Sequence, residues 1–195
     1  MYVRQFPVIA IASKVRCVER PQAAPGLRSV LPQIDFFVET QRMSIDARLS
    51  ELGITLPSPP LAGGVYTPVV VVDRMAYVSG QVPYGPDGKL VVGRVGSDLT
   101  EEQGAAAARV VALTMLATIK ASLGSLDRVK RIVKVLGMVN STPDFQKHPA
   151  VMNGFSNTMV EIFGDAGKAA RSAVGMGSLP YNVPVEVEAI LELHS

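Results

Sequence analysis

With 195 residues, of which 48% are apolar and 18% charged, the chain has the length and composition of one globular domain. A single cysteine, Cys17, excludes an internal disulfide, and the two histidines, His148 and His194, form no Cys/His cluster of metal-binding spacing, so neither a metal nor a cofactor is expected. The formal charge of +2 is uneven: residues 1–42 carry six basic and three acidic side chains, whereas 43–195 carry 13 and 14, which gives no support for a broad nucleic-acid surface on the body of the protein.

Residues 1–42 are punctuated by Pro7, Pro21, Pro25 and Pro32 and show no sustained apolar period, so they are expected to be an N-terminal extension. Three origins are weighed for it: an artefactual start upstream of Met43, a disordered tail, or a targeting segment. The last rests on Arg4 ahead of the apolar run from Phe6 to Ala12 and on the small-x-small form of Ala10-Ile11-Ala12. The domain proper is expected over 43–195. No apolar run approaches the roughly 18–20 residues that cross a bilayer, and even Val69 to Val72 is cut off by Asp73 and Arg74. The expected location is therefore cytoplasmic, or organellar or exported if 1–42 is a targeting segment, and no membrane partner is expected.

Ser44 can cap a short helix through Leu52, with Gly53 as its stop. Tyr66 to Val72 and Met75 to Gln81, rich in β-branched and aromatic residues, predict two strands joined at Asp73-Arg74, and Lys89 to Val95 predicts a third after the turn Pro86-Asp87-Gly88. Thr100-Glu101-Glu102-Gln103 has the form of a capping box. It opens a helix to Leu123 with Ala106, Val110, Leu113 and Ala117 on its apolar face, ending at Gly124. Arg128 to Ser141 predicts a long strand with Val129, Val133 and Val135 opposite Arg128, Lys130, Ile132 and Lys134. A helix over Ala150 to Phe163, stopped by Gly164, and strands over Arg171 to Met176 and Val183 to Leu193 complete a β-β-β-α-β-α-β-β order. That order predicts an α+β layer fold with two helices packed on one face of a mixed sheet, the other face being left for sister subunits.

Four local patterns then occur in order: Gly64-Val65-Tyr66 followed by Ser79-Gly80-Gln81-Val82-Pro83, Asn153 early in the second long helix, Ala170-Arg171-Ser172 opening a strand, and Val185-Glu186-Val187-Glu188-Ala189 near the end. In these residues the chain resembles the RidA (YjgF, endoribonuclease L-PSP) family throughout 43–195. Arg48-Leu49-Ser50-Glu51-Leu52-Gly53 and Asn140-Ser141-Thr142-Pro143-Asp144-Phe145 are more similar to its longer-subunit branch. The resemblance implies a chorismate-mutase-like fold, a homotrimer with sites between subunits, and hydrolysis of enamine or imine intermediates such as 2-aminoacrylate to a 2-keto acid and ammonia. This is a 2-iminobutanoate/2-iminopropanoate-type deaminase activity.

By the same resemblance Arg171 binds the substrate carboxylate, for which a planar guanidinium offers two parallel donors, and Glu186 is the acidic residue that holds the attacking water. Glu188 lies two residues on and faces the same way in a strand, so the choice between the two acids stays open. Tyr66 closes the pocket, Ser79 and Asn153 orient the substrate or backbone, and Ala173 offers its backbone N–H and C=O. Two departures stand out. Ala173 replaces the cysteine that commonly follows Arg-Ser, and Thr67-Pro68 follows Tyr66 where RidA itself reads Ser-Gln.

Two other readings are weighed. A protein that binds a carboxylate metabolite without turnover is favoured by those departures. A ribonuclease or translation inhibitor would need a basic strip, for which Arg128, Lys130, Arg131 and Lys134 are the candidates, without interleaved aromatic residues for stacking.

Overall fold

A computed structural model describes residues 43–195, and the readings made for 1–42 lie outside the described residues. The first helix, α1 (Ile45–Glu51), begins where Ser44 Oγ accepts from Ala47 N at 3.1 Å and is followed by Gly53 at φ +64°. Its start is pinned from outside: Ile45 N donates to Asp127 Oδ1 at 2.7 Å and Lys120 Nζ meets Asp46 at 2.7 Å.

Strands β1 (Val69–Val72) and β2 (Met75–Gln81) form the expected antiparallel hairpin, with Asp73 in the left-handed conformation at its turn. The first strand starts three residues later than the composition suggested. Pro68 has no N–H to give a ladder, and only its carbonyl is used, accepting from Ser79 N at 3.0 Å. The third expected strand, Lys89 to Val95, is reduced to isolated bridges, Tyr84 with Leu90 and Val95 with Leu99 and Ser141. Gly93 at φ +128° turns the chain out of the extended path there, a conformation that a β-branched residue would not hold.

Helix α2 (Glu101–Leu123) opens on a complete capping box: Thr100 Oγ1 accepts from Gln103 N at 3.2 Å, and Gln103 Oε1 accepts from Thr100 N at 2.8 Å. Its buried stripe is Gly104, Ala107, Ala108, Val111, Met115 and Ile119; of the expected face Ala117 is buried, whereas Ala106 is exposed and Val110 and Leu113 are only partly covered. The expected face is therefore rotated, because so many alanines make several stripes of the helix apolar and leave packing to choose. Contrary to the expectation that no run approaches the length that crosses a bilayer, α2 is long and apolar enough by length and composition, because its alanines and few charges keep it apolar between polar ends. Most of its apolar stretch is buried inside the domain as a core helix.

Strand β3 (Val129–Asn140) carries two register shifts against β5 (Val185–Leu193), and these put Ile132 in the core beside Val129 and Val135 instead of on the face expected for it. Helix α3 (His148–Phe163) starts two residues earlier than predicted, with Pro149 in its first turn. It crosses α2 closely enough that a β-carbon on Gly154 would strike the backbone of Ala105. Strand β4 (Ala170–Met176) completes a five-stranded sheet in the order β1-β2-β5-β3-β4, antiparallel except for the parallel pair β3–β4.

The core lies between one sheet face and the helices. Ala76, Val78, Val135, Val139, Val185, Val187, Ala189 and Leu191 meet Val111, Met115, Leu116, Met152, Phe155 and Met159. Each large side chain so buried contributes roughly 1.5–3 kcal/mol. The opposite face carries Val70, Val72, Tyr77 and Val174, all at least 40% exposed, together with partly covered Leu136 and Ile190. This is the α+β layer architecture expected, with one apolar sheet face that the described residues leave open.

Candidate functional site

Glu186 and Glu188 alternate with core valines on β5, and their register partners Met138 and Leu136 place both on the open sheet face, as the two-residue spacing required. Their surroundings differ. Glu188 is exposed, whereas Glu186 is half-covered and borders a cavity of about 440 Å³ with Tyr66, Ser79, Gly80, Gln81 and Tyr181. Burial, reinforced by repulsion from the Glu188 carboxylate, raises the Glu186 pKa above its ordinary 4.5. The geometry thus separates two acids that strand spacing alone left equivalent.

The cavity wall is built by an interruption in β2. Between Val78 and Gln81 the register against β5 shifts, and the space that a β-carbon on Gly80 would fill holds the Glu186 carboxylate. Ser79 Oγ donates to Thr67 O at 2.9 Å, which ties the irregular strand to the segment carrying Tyr66. The Tyr66 hydroxyl accepts from Gly63 N at 3.2 Å, fixing the ring against the loop.

Gln81, read from the sequence only as part of a motif, is 5% exposed. Its Nε2 donates to the carbonyls of Ser79 and Gly80 at 3.2 and 3.3 Å, while its Oε1 accepts from Thr118 Oγ1 of α2 at 2.9 Å. This pair braces the interruption from below. A buried glutamine flanked by glycine and valine is the one local hint of it; the partner Thr118 could not be found from spacing.

The cavity mouth holds a second feature the sequence did not reveal. Tyr181 (φ 56°, ψ 18°) and Asn182 (φ 57°) are consecutive non-glycine residues in the left-handed conformation, which asparagine tolerates but which costs roughly 1–2 kcal/mol at Tyr181. Asn140, 2% exposed, restrains them by donating Nδ2 to Asn182 Oδ1 at 3.0 Å and to Val183 O at 3.3 Å.

Arg171 stands elsewhere. Its register partner is Val135, so it belongs to the helix-bearing side of the sheet at edge strand β4. The guanidinium lies along the first turns of α3: Nη1 donates to Asn153 Oδ1 at 3.2 Å and Ser156 Oγ at 2.9 Å, and Nη2 to Pro149 O at 3.2 Å. Those bonds use three of its five donors and leave Nε–H and one Nη2–H, the number that a bidentate carboxylate takes. Burial lowers the Arg171 pKa, although a guanidinium stays charged at any physiological pH. Ala173, two residues on, pairs with Gly137 and packs partly against the core.

The six residues picked from the sequence therefore fall into two groups. Tyr66, Ser79 and Glu186 line one cavity; Arg171, Asn153 and Ala173 gather at the β4 edge beside α3. Glu186 and Val174 share the partner Met138 across β3, so from strand spacing and rise the Glu186 and Arg171 Cα atoms are about 14 Å apart, with side chains on opposite faces. No group of His, Cys, Asp and Glu suited to a metal occurs among the described residues. Along the basic strip Lys130 is paired with Glu192 at 2.8 Å, Lys134 Nζ donates to Ser172 Oγ at 3.0 Å, and Arg128 Nη1 donates to Leu123 O at 3.3 Å.

A mixed five-stranded sheet backed on one face by two long helices, with an acid on the bare face, defines a chorismate-mutase-like α+β protein. Residues 46–193 match the YjgF/chorismate mutase-like endoribonuclease family. Protein TCP17 of Trypanosoma cruzi is 41% identical over 152 residues, 77% of this chain and 95% of its own. Among solved structures, Atu1372 from Agrobacterium tumefaciens, of unknown function, is 41% identical with a TM-score of 0.69 over 77% of this chain and 92% of that one. A protein from Shewanella oneidensis MR-1 that carries the endoribonuclease designation is 34% identical, with a TM-score of 0.74 over 77% of this chain and all of that one. The chain belongs to the YjgF, or RidA, family.

Proposed function

We propose that the protein hydrolyses reactive 2-imino acids and their enamine tautomers, and that it works as a homotrimer with each site shared between two copies. The observation carrying this reading is the half-buried Glu186 carboxylate, its proton affinity raised by burial, in a cavity with Tyr66 and Ser79. Arg171 supports it with two free donors suited to a carboxylate. Because Arg171 and Glu186 of one chain lie on opposite sheet faces, the arginine that grips a substrate at Glu186 comes from another copy.

Glu186 takes a proton from water as the water oxygen bonds to the imine carbon. The proton passes to the imine nitrogen to give a carbinolamine; Glu186 then moves the hydroxyl proton to the amino group as the carbonyl forms and the carbon–nitrogen bond breaks, releasing ammonia and a 2-keto acid. Tyr66 and Ser79 shape the cavity around the reacting carbon. Asn153 orients Arg171, and Ala173, on an edge strand, contributes backbone N–H and C=O.

The test follows the decay of 2-aminoacrylate, generated in place by a pyridoxal-phosphate lyase, over the full-length protein. Wild type is expected to accelerate it, Arg171→Ala to return it to background, and Glu186→Gln to slow it by about 10²–10⁴-fold. Mixed oligomers of the two variants should regain activity at about a quarter of their sites, where an intact Arg171 meets an intact Glu186. No acceleration with small, branched and aromatic imines removes the deaminase reading. A second reading, carboxylate binding without turnover, is favoured by Ala173 in the position where family deaminases commonly carry a cysteine; it predicts binding at Arg171 in the same assay without ammonia release.

A further inference from the structure

The cavity beside Glu186 is larger than a three-carbon acid needs, and its walls combine polar groups with aromatic and aliphatic ones. The cavity is open to one side, and its volume of about 440 Å³ is in the range of pockets that take drug-sized ligands. Besides Glu186 the lining includes the rings of Tyr66, Tyr84 and Tyr181 and the apolar Leu61, Val82 and Pro180. Such walls reward an apolar side chain on the ligand and offer little to a methyl-sized one, which would leave most of the space to water.

Tyr181 is placed there at a cost. It sits in the left-handed region, where glycine or asparagine would be at ease, and is followed by Asn182, a residue that does suit that conformation. The ring is 73% exposed, so core packing does not account for its presence. Asn140, buried beneath, holds the turn that presents it. A strained turn, clamped from the core and carrying an exposed aromatic ring into the lining of the cavity, is the arrangement of a residue that contacts what enters.

We propose that the Glu186 cavity takes 2-imino and 2-oxo acids with aromatic or branched apolar side chains, and that Tyr181 is the residue selecting them. This rests on the reading that the reacting carbon lies at Glu186. The ligand's carboxylate points out toward the arginine of another copy, and its side chain packs inward against Tyr66 and Tyr84 beneath the Tyr181 ring.

Calorimetric titration of the full-length protein with phenylpyruvate and with pyruvate tests it without depending on turnover. Wild type is expected to bind phenylpyruvate about tenfold or more tightly than pyruvate. Tyr181→Gly and Tyr181→Asn, which remove the ring yet suit the backbone, should bring the ratio of the two Kd values close to one, and Tyr181→Phe should keep it. Both ring-less variants should melt no lower than wild type, which separates loss of contact from loss of fold. A wild-type ratio near one, an unchanged ratio in Tyr181→Gly, or no binding of either acid overturns the proposal. Imine turnover without the preference overturns this inference alone, and the preference without turnover overturns the deaminase reading alone.

Discussion

The Glu186 carboxylate lies where a side chain on Gly80 would have to be, so the smallest residue in the β2 interruption sets the position of the acid. Gly80→Ala is expected to push Glu186 aside while leaving the helix-facing core untouched. A displacement of about 1 Å costs on the order of a hundredfold in rate. Imine turnover should fall by about that factor with circular dichroism unchanged; retained turnover would show that the Glu186 position is not critical.

Glu186 also predicts a pH dependence of stability. Its folded pKa is raised, so the folded protein holds the proton more tightly than the unfolded chain. The stability it contributes is fully present below the ordinary value of 4.5 and is lost as pH rises through that value toward the raised one. Glu186→Gln removes this loss. The variant should melt slightly above wild type at neutral pH, by on the order of a degree or two for a partly exposed group, and the gap should close below pH 4.5.

The same electrostatics sets the acid limb of the activity profile. If the ionised carboxylate accepts the proton from water, kcat/KM should fall at a pH above 4.5, and Glu188→Gln, by removing the repulsion, should move that limb toward 4.5. A limb unmoved by Glu188→Gln would assign it to another group.

Thr118→Val tests the brace under the cavity. It strips the Gln81 Oε1 atom of its partner in a buried site, which costs about 1–3 kcal/mol in denaturant unfolding. It should also loosen the Ser79 and Gly80 carbonyls that Gln81 holds, lowering kcat more than it raises KM. Thr118→Ser, which restores the hydroxyl, should recover kcat; a stability loss with kcat intact would leave the pair structural.

At the other half-site, Arg171→Lys keeps the charge and loses the fork. Affinity for a 2-keto acid should weaken by about tenfold or more, because an ammonium cannot make two parallel bonds to one carboxylate. Equal binding by the lysine variant would mean that the arginine acts as a point charge.

Much of this molecule was legible in the chain itself. Capping residues Ser44 and Thr100, stops at Gly53, Gly124 and Gly164, and β-branched runs bound most elements, because these signals act over four or five residues and need no partner. The four ordered patterns pointed to the fold, and the spacing of Glu186 and Glu188 placed both on one face. Where a local pattern competed with packing, it failed: Lys89 to Val95 bends at Gly93, the alanine-rich α2 turns a different stripe inward, and the register shifts in β3 send Ile132 into the core.

Tertiary structure alone decided the site. Only the paired registers of β3, β4 and β5 put Arg171 and Glu186 on opposite faces, since strand order is set by contacts between residues far apart in sequence. Only the enclosure by Gly80, Tyr66 and the Tyr181 turn made Glu186 differ from Glu188, because a carboxylate's proton affinity follows from what surrounds it and not from its neighbours along the chain.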